Sequence, residues 1–305
     1  MRYYKNWFLL RQKITNLPTR RYCGKVVTSE RQEQHVEELL DALRSGSKPV
    51  FLGRLGVTEN YLIIDHEFIE SGLQKDYSSN VYRDAQVCAG MYPLTKASLS
   101  ICATYQREAL KNMTHFSFWH LKMEPYWIKR YCRKDVVLLS GLNPHRLMGA
   151  LEGKRVLVVS SFPKTIAMQY EKRRLLFENE RFLPDFHLIL EKAPVTNAGA
   201  EPSFPTWEDS LLDCYRRCMN HMFDVALIGA GSYSTPLGNL IFQTGHQVAV
   251  LNSNIQIVFG IKGRRWETQA WAEGTRALFN EHWVYPLEEE TPPQVDKVDG
   301  GSYWK

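Results

Sequence analysis

No stretch of this chain approaches the roughly 20 consecutive apolar residues that a helix needs to cross a bilayer. Near the N-terminus the apolar run Trp7 to Leu10 is also too short for the core of a signal peptide, so neither a span nor a secretory leader is expected. Cysteine is sparse and scattered: Cys23, Cys88, Cys102, Cys132, Cys214 and Cys218 form no pattern with zinc spacing. Reduced thiols filling a core are the expectation, in a cytoplasmic protein. One-sided charge is missing too. With 38 basic against 33 acidic residues the net charge is +5, too mild to indicate nucleic acid. No internal repeat is visible. What remains is a chain of 305 residues, 44% hydrophobic, long enough to bury one large core.

The densest information lies between Phe223 and Trp266. Val225 to Ile228 is too short for a helix and apolar enough for a buried strand. Gly229, Ala230, Gly231, Ser232 and Tyr233 follow at once, then Pro236, Gly238 and the apolar-periodic Leu240 to Phe242. Strand, glycine turn and helix start form the layout of a nucleotide site, because glycines permit a tight turn and free N–H groups at a helix start attract phosphate. The same turn also serves as an ordinary strand-to-helix connection. Gln247 to Leu251 reads as the next strand. Beyond it, Ile255 to Trp266 places Gly260 and Gly263 around Lys262, followed by Arg264, Arg265 and Trp266. Two or three cations on flexible backbone beside an indole suit a diphosphate with a stacked ring. A solvated basic loop is the plainer alternative.

Elsewhere the pattern alternates. Helices are predicted over Glu30 to Leu43, Tyr61 to Ile69, Met91 to Lys111 and Trp207 to Met222, the last capped by Thr206. Strands are predicted over Lys48 to Leu52, Arg155 to Ser160 and Phe186 to Leu190. Met113 to Tyr131 reads as an aromatic-rich connection whose histidines match no metal motif. Lys164 and Thr165 follow a strand end, where they would join a phosphate site, Thr165 also capping a helix that carries Gln169 and Tyr170 as polar contacts. The loop from Lys192 to Pro205 reads as a mobile flap. Together these elements predict an α/β fold, a doubly wound Rossmann-like mainly parallel sheet flanked by helices. Three segments are expected: a basic and aromatic arm over 1–28, one domain over 29–285, and a Pro-rich acidic tail over 286–305. Drawn as a helix, the arm puts Tyr3, Trp7, Leu10 and Ile14 on one face, which suits a membrane surface, a second subunit or the body of its own protein.

Phe223 to Gly231, the distal Gly245 and His246, and the upstream block Gly53 to Leu62 resemble glycosyltransferases of the GT-D fold, most closely a bacterial GT-D-like subgroup. The resemblance runs in order from Leu151 to Trp266, through Phe182 to Phe186 and Trp207, and returns in Gly300 to Trp304. It implies transfer of a sugar from a nucleotide-sugar donor, a UDP-sugar foremost, to a glycan, lipid-linked or protein acceptor in bacterial surface glycan synthesis. It also implies an Arg-x-Gly-Asp-x-Glu motif, met here by Arg54, Gly56 and Glu59, with Val57 in place of the Asp. Glu59 and Arg54 are the expected catalytic pair, Glu59 doubling as the one candidate ligand for Mn²⁺ or Mg²⁺. Gly56, Lys164, Thr165, Gly229, Gly231, Ser232, Tyr233, Gln256, Lys262 and Arg265 are the expected donor contacts. One carboxylate holds a hard cation poorly, so a non-catalytic nucleotide-sugar binder is the alternative. A methyltransferase is the other, although its turn belongs to the first strand and an acidic residue to the end of the next. Expected partners are thus the donor, an acceptor, the inner face of a membrane and a second copy of the chain.

Overall fold

The structure, a computed structural model, describes residues 29–305 apart from 119, 120 and 122. The expected N-terminal arm, with Cys23, lies outside the described residues, as does His120. Seven strands form one sheet: β1 (Phe51–Gly53), β2 (His115–Phe118), β3 (Val137–Ser140), β4 (Arg155–Ser160), β5 (His187–Lys192), β6 (Val225–Gly229) and β7 (Gln247–Val250). Their order is β3-β2-β1-β7-β6-β4-β5, and every neighbouring pair is parallel. Strands covered on both faces must be apolar on both. In β4, Leu157 and Val159 enter one core while Val156 and Val158 enter the other.

Helices cover both faces, which makes the sheet doubly wound as expected. Leu62, Leu99, Leu211 and Leu237 bring the helices Val57–Glu70, Lys96–Asn112, Trp207–Met219 and Ser234–Phe242 onto one face. Leu39, Leu147, Ile166 and Ile255 bring Ser29–Ser45, Pro144–Met148, Pro163–Glu171 and Asn254–Val258 onto the other. Thr206 caps its helix as predicted, its hydroxyl accepting from the Asp209 N–H at 3.1 Å. Among the described residues all cysteines are free, and no helix is long and apolar enough to cross a membrane.

Some elements depart from expectation. Met113 to Tyr131 is not one connection: it holds β2 and a helix, Glu124–Tyr131. β2 buries only Phe116 and Phe118, too short an alternation to register in a run crowded with aromatics. β3 likewise had no predicted counterpart. The helix expected from Met91 begins only at Lys96, where the Thr95 hydroxyl accepts from the Ser98 N–H. Thr165 caps nothing, because its helix starts at Pro163.

Residues 286–305 fold back over the body. Trp304 is buried, its indole N–H donating to the Glu290 carbonyl at 3.4 Å. The Glu290 carboxylate itself supplies the missing cap of the Pro163–Glu171 helix, accepting from the backbone N–H groups of Lys164 (2.7 Å) and Thr165 (3.1 Å).

Candidate functional site

The C-terminal ends of β1, β7, β6 and β4 open into one cleft of about 440 Å³. Open parallel sheets bind ligands at this edge, where successive connections part to opposite faces. Each central strand contributes its following loop: Arg54 to Glu59 after β1, Ser161 and Phe162 after β4, Gly229 to Ser232 after β6, and Asn252 to Gln256 after β7.

The glycine turn is required by geometry. Gly231 has φ +56°, a conformation that side chains disfavour, and open space where a Cβ would stand. Gly229 is needed for a different reason. A Cβ there would lie 2.7 Å from the Asn252 carbonyl oxygen and 2.8 Å from Ile255, so only glycine lets the loop after β7 close on the turn. Ser232 lines the cleft, yet its hydroxyl donates to the Ala89 carbonyl (2.6 Å) and accepts from the Trp207 indole (2.9 Å), which ties it into the scaffold.

On the opposite wall Gly56 is the N-cap of the Val57–Glu70 helix, and no side chain caps that end. Glu59, in the first turn, folds over it: a Cβ on Gly56 would meet the Glu59 Oε2 at 2.0 Å. Burial raises the Glu59 carboxyl pKa, opposed by its own backbone hydrogen bond and then by the Arg54 charge. Arg54 is itself buried, and burial lowers its pKa to about 9, with Tyr303 opposing and Arg265 reinforcing the shift. It stays protonated at neutral pH. The Arg54 carbonyl accepts from the Thr235 hydroxyl at 3.0 Å, which joins this wall to the helix after the glycine turn. Val57, where the resemblance implies an Asp, is 56% exposed.

Arg265 enters from the far side. Its guanidinium carbon lies 4.9 Å from the Tyr303 ring centre, 5.4 Å from Trp266 and 5.7 Å from Trp271. Gln256 is buried below, its Nε2 donating to the Tyr303 carbonyl at 2.8 Å while its Oε1 has no partner among the described residues. Of the residues singled out in the sequence, Arg54, Gly56, Glu59, Gly229, Gly231, Ser232, Gln256 and Arg265 therefore meet in one cleft.

Four expected donor contacts lie elsewhere. Lys164 points outward and pairs with Glu289 at 2.7 Å. Thr165 is buried under the tail, its hydroxyl bonded to the Glu290 carboxylate. Tyr233 turns into the core, stacked on Trp207 with ring centres 5.0 Å apart and its phenol bonded to Thr196. Lys262 lies over the Phe279 ring, 5.6 Å from its centre. Gln169 and Tyr170 also stabilise the scaffold, bonding to the carbonyls of Gly260 and His282 and of Pro184 and Phe186. Conversely, sequence reasoning missed Ser161, Asn252, Asp299 and Tyr303, all of which line the cleft. Only Asn252 carried a signal: it lies just past β7 at φ +50°, where Asn is tolerated better than most residues.

Among the described residues no three His, Cys, Asp or Glu side chains gather to hold a metal ion. A second cavity of about 490 Å³ adjoins the cleft at Ser161, between the 193–204 loop and the tail. Its lining is mixed, with Ser210, Asp213 and Arg217 facing Val195, Phe204 and Pro292.

No family model matches the chain, and no curated protein matches it. Among solved structures it is similar to a glycosyltransferase (DUF1792) from Streptococcus sanguinis, at 12% identity and a TM-score of 0.44, over 84% of this chain and 94% of that one. It is also similar to a selenomethionine-substituted domain of unknown function 1792, at 10% identity and a TM-score of 0.38, over 84% of this chain and 96% of that one.

Proposed function

We propose that this protein is a glycosyltransferase that takes a nucleotide sugar, a UDP-sugar foremost, into the cleft at the ends of β1, β7, β6 and β4. The observation that carries this reading is the convergence of Arg54 and Glu59, from the segment after β1, and of Arg265, from a distant segment, on the cleft of the Gly229–Gly231 turn. The motif resemblance at Arg54, Gly56 and Glu59 agrees with it. The diphosphate would lie across the glycine turn, and Arg265 and Arg54 would neutralise charge as it develops on the leaving group. Glu59, whose raised pKa makes it the stronger base, would take the proton of the acceptor hydroxyl. The acceptor oxygen then bonds to the sugar's anomeric carbon, and the bond to the diphosphate breaks with its electron pair on the phosphate oxygen. The adjoining cavity, part polar and part apolar, would offer a place for the acceptor.

A second reading, a sugar-nucleotide binder without turnover, is favoured by one feature. Val57 supplies no carboxylate where the resemblance implies one. The two readings part in a single experiment. In a thermal-shift panel, UDP-sugars should stabilise the protein and S-adenosylmethionine should not, and Arg265→Ala should weaken donor binding by about 1.5–3 kcal/mol. Turnover of a bound UDP-sugar, lost in Glu59→Gln, supports the transferase. Binding without turnover for every acceptor supports the binder. Stabilisation by S-adenosylmethionine alone rejects both.

A further inference from the structure

The C-terminal segment builds one wall of the cleft, with Val298, Asp299, Tyr303 and Trp304 lining it. It is latched to the loop that carries Arg265. The N–H of Arg264 donates to the Trp304 carbonyl (2.8 Å), that of Arg265 to the Ser302 carbonyl (3.1 Å), and the Gln256 amide to the Tyr303 carbonyl. Gly263 lets the two strands of chain approach so closely, since a Cβ there would sit 3.0 Å from the Ser302 oxygen.

The surroundings of Arg265 are unusual for an arginine so placed. Among the described residues no carboxylate pairs with it, and its Nε is buried without a hydrogen-bond partner. Aromatic faces hold it instead, Tyr303 nearest. A ring face attracts a guanidinium without neutralising it, so the charge stays available. A second guanidinium, Arg54, is close enough for the two to disfavour each other. Glu124 and Glu59 offset part of the Arg54 charge, so Arg265 is the cation better placed to take an incoming anion beside it.

We infer that Tyr303 is a positioning residue for an anionic ligand: its ring fixes the Arg265 guanidinium, without cancelling its charge, so that Arg265 and Arg54 together grip a diphosphate. This rests on the proposed nucleotide-sugar reading and adds to it that the C-terminal segment is part of the binding site.

Calorimetry with UDP and with inorganic pyrophosphate on the full chain tests it. Tyr303→Phe keeps the ring and should bind UDP within about twofold of wild type. Tyr303→Leu keeps most of the volume but loses the ring quadrupole, and should weaken both ligands by about five- to thirtyfold. In an Arg265→Ala background Tyr303→Leu should have little further effect, because the two act as one unit. Thermal melts of each variant separate this loss from a loss of folding. Unchanged affinity in a folded Tyr303→Leu overturns this inference alone. So does an equal weakening by Tyr303→Leu with and without Arg265. Failure of the wild type to bind either ligand removes the nucleotide-sugar reading and this inference with it.

Discussion

Replacing Glu290 by Ala tests how firmly the C-terminal segment is bound into the fold. The side chain is 8% exposed and accepts two backbone N–H groups of the Pro163–Glu171 helix together with the Thr165 hydroxyl. Three terms set the loss. An N-cap is worth about 0.5–2 kcal/mol. A carboxylate at a partly buried helix N-terminus adds about 0.3–2 kcal/mol. Water moderates both, because Glu290 borders the 490 Å³ cavity and solvent can reach part of the vacated site. A net loss of about 2–3 kcal/mol results, or roughly 5 °C in melting temperature for a domain of this size. Glu290→Gln keeps an acceptor but not the charge, and should lose about 1 kcal/mol. Glu289→Ala is the control: that residue is exposed and pairs only with the exposed Lys164, so its loss should stay within about 0.5 kcal/mol. Urea unfolding followed by circular dichroism gives all three values. Equal stability of Glu290→Ala and wild type, or a loss as large in the Glu289→Ala control, would refute the reasoning.

Gly229→Ala should cost about 1–3 kcal/mol and weaken donor binding, because its Cβ meets the Asn252 carbonyl and Ile255; an alanine variant with wild-type stability and affinity would show that the loop after β7 yields freely. Glu59→Gln bears on pH. A carboxyl whose folded pKa is raised contributes stability that is complete below its unfolded value, about 4.3, and lost as pH rises through the folded value. The variant should therefore gain on wild type as pH rises above that unfolded value in urea unfolding, and the opposite trend would mean that Arg54 outweighs burial. Titration of Mn²⁺ into the ligand-free protein should give no stoichiometric micromolar binding, since among the described residues Glu59 belongs to no cluster of three metal-ligating side chains; such binding, abolished in Glu59→Gln, would place other oxygens around the ion.

Much of this architecture is written locally. Val225 to Ile228 and Val156 to Val159 are unbroken apolar runs, so their burial in a parallel sheet follows from composition alone. The glycine turn after β6 was legible for the same reason, because backbone conformation and residue type are local properties; the Arg54-to-Glu59 block after β1 stood out through its resemblance to a family motif. β2 and β3 were not, because four residues amid aromatics carry too little alternation to stand out.

Contacts between distant segments left no local trace. Sequence placed Lys164, Thr165, Tyr233 and Lys262 beside a ligand because each follows a strand or glycine. Tertiary structure gave each a protein partner instead, from Glu289 to the Phe279 ring. The cap for the Pro163–Glu171 helix comes from more than a hundred residues away, and so does the wall that Tyr303 adds to the cleft beside Arg54. The sequence by itself determined the longer apolar strands and the glycine turn, since φ, ψ and burial pattern are read a few residues at a time. Only the packed chain decided which cation stays uncompensated, because neutralising a charge depends on what lies within a few ångströms of it, whatever the separation along the backbone.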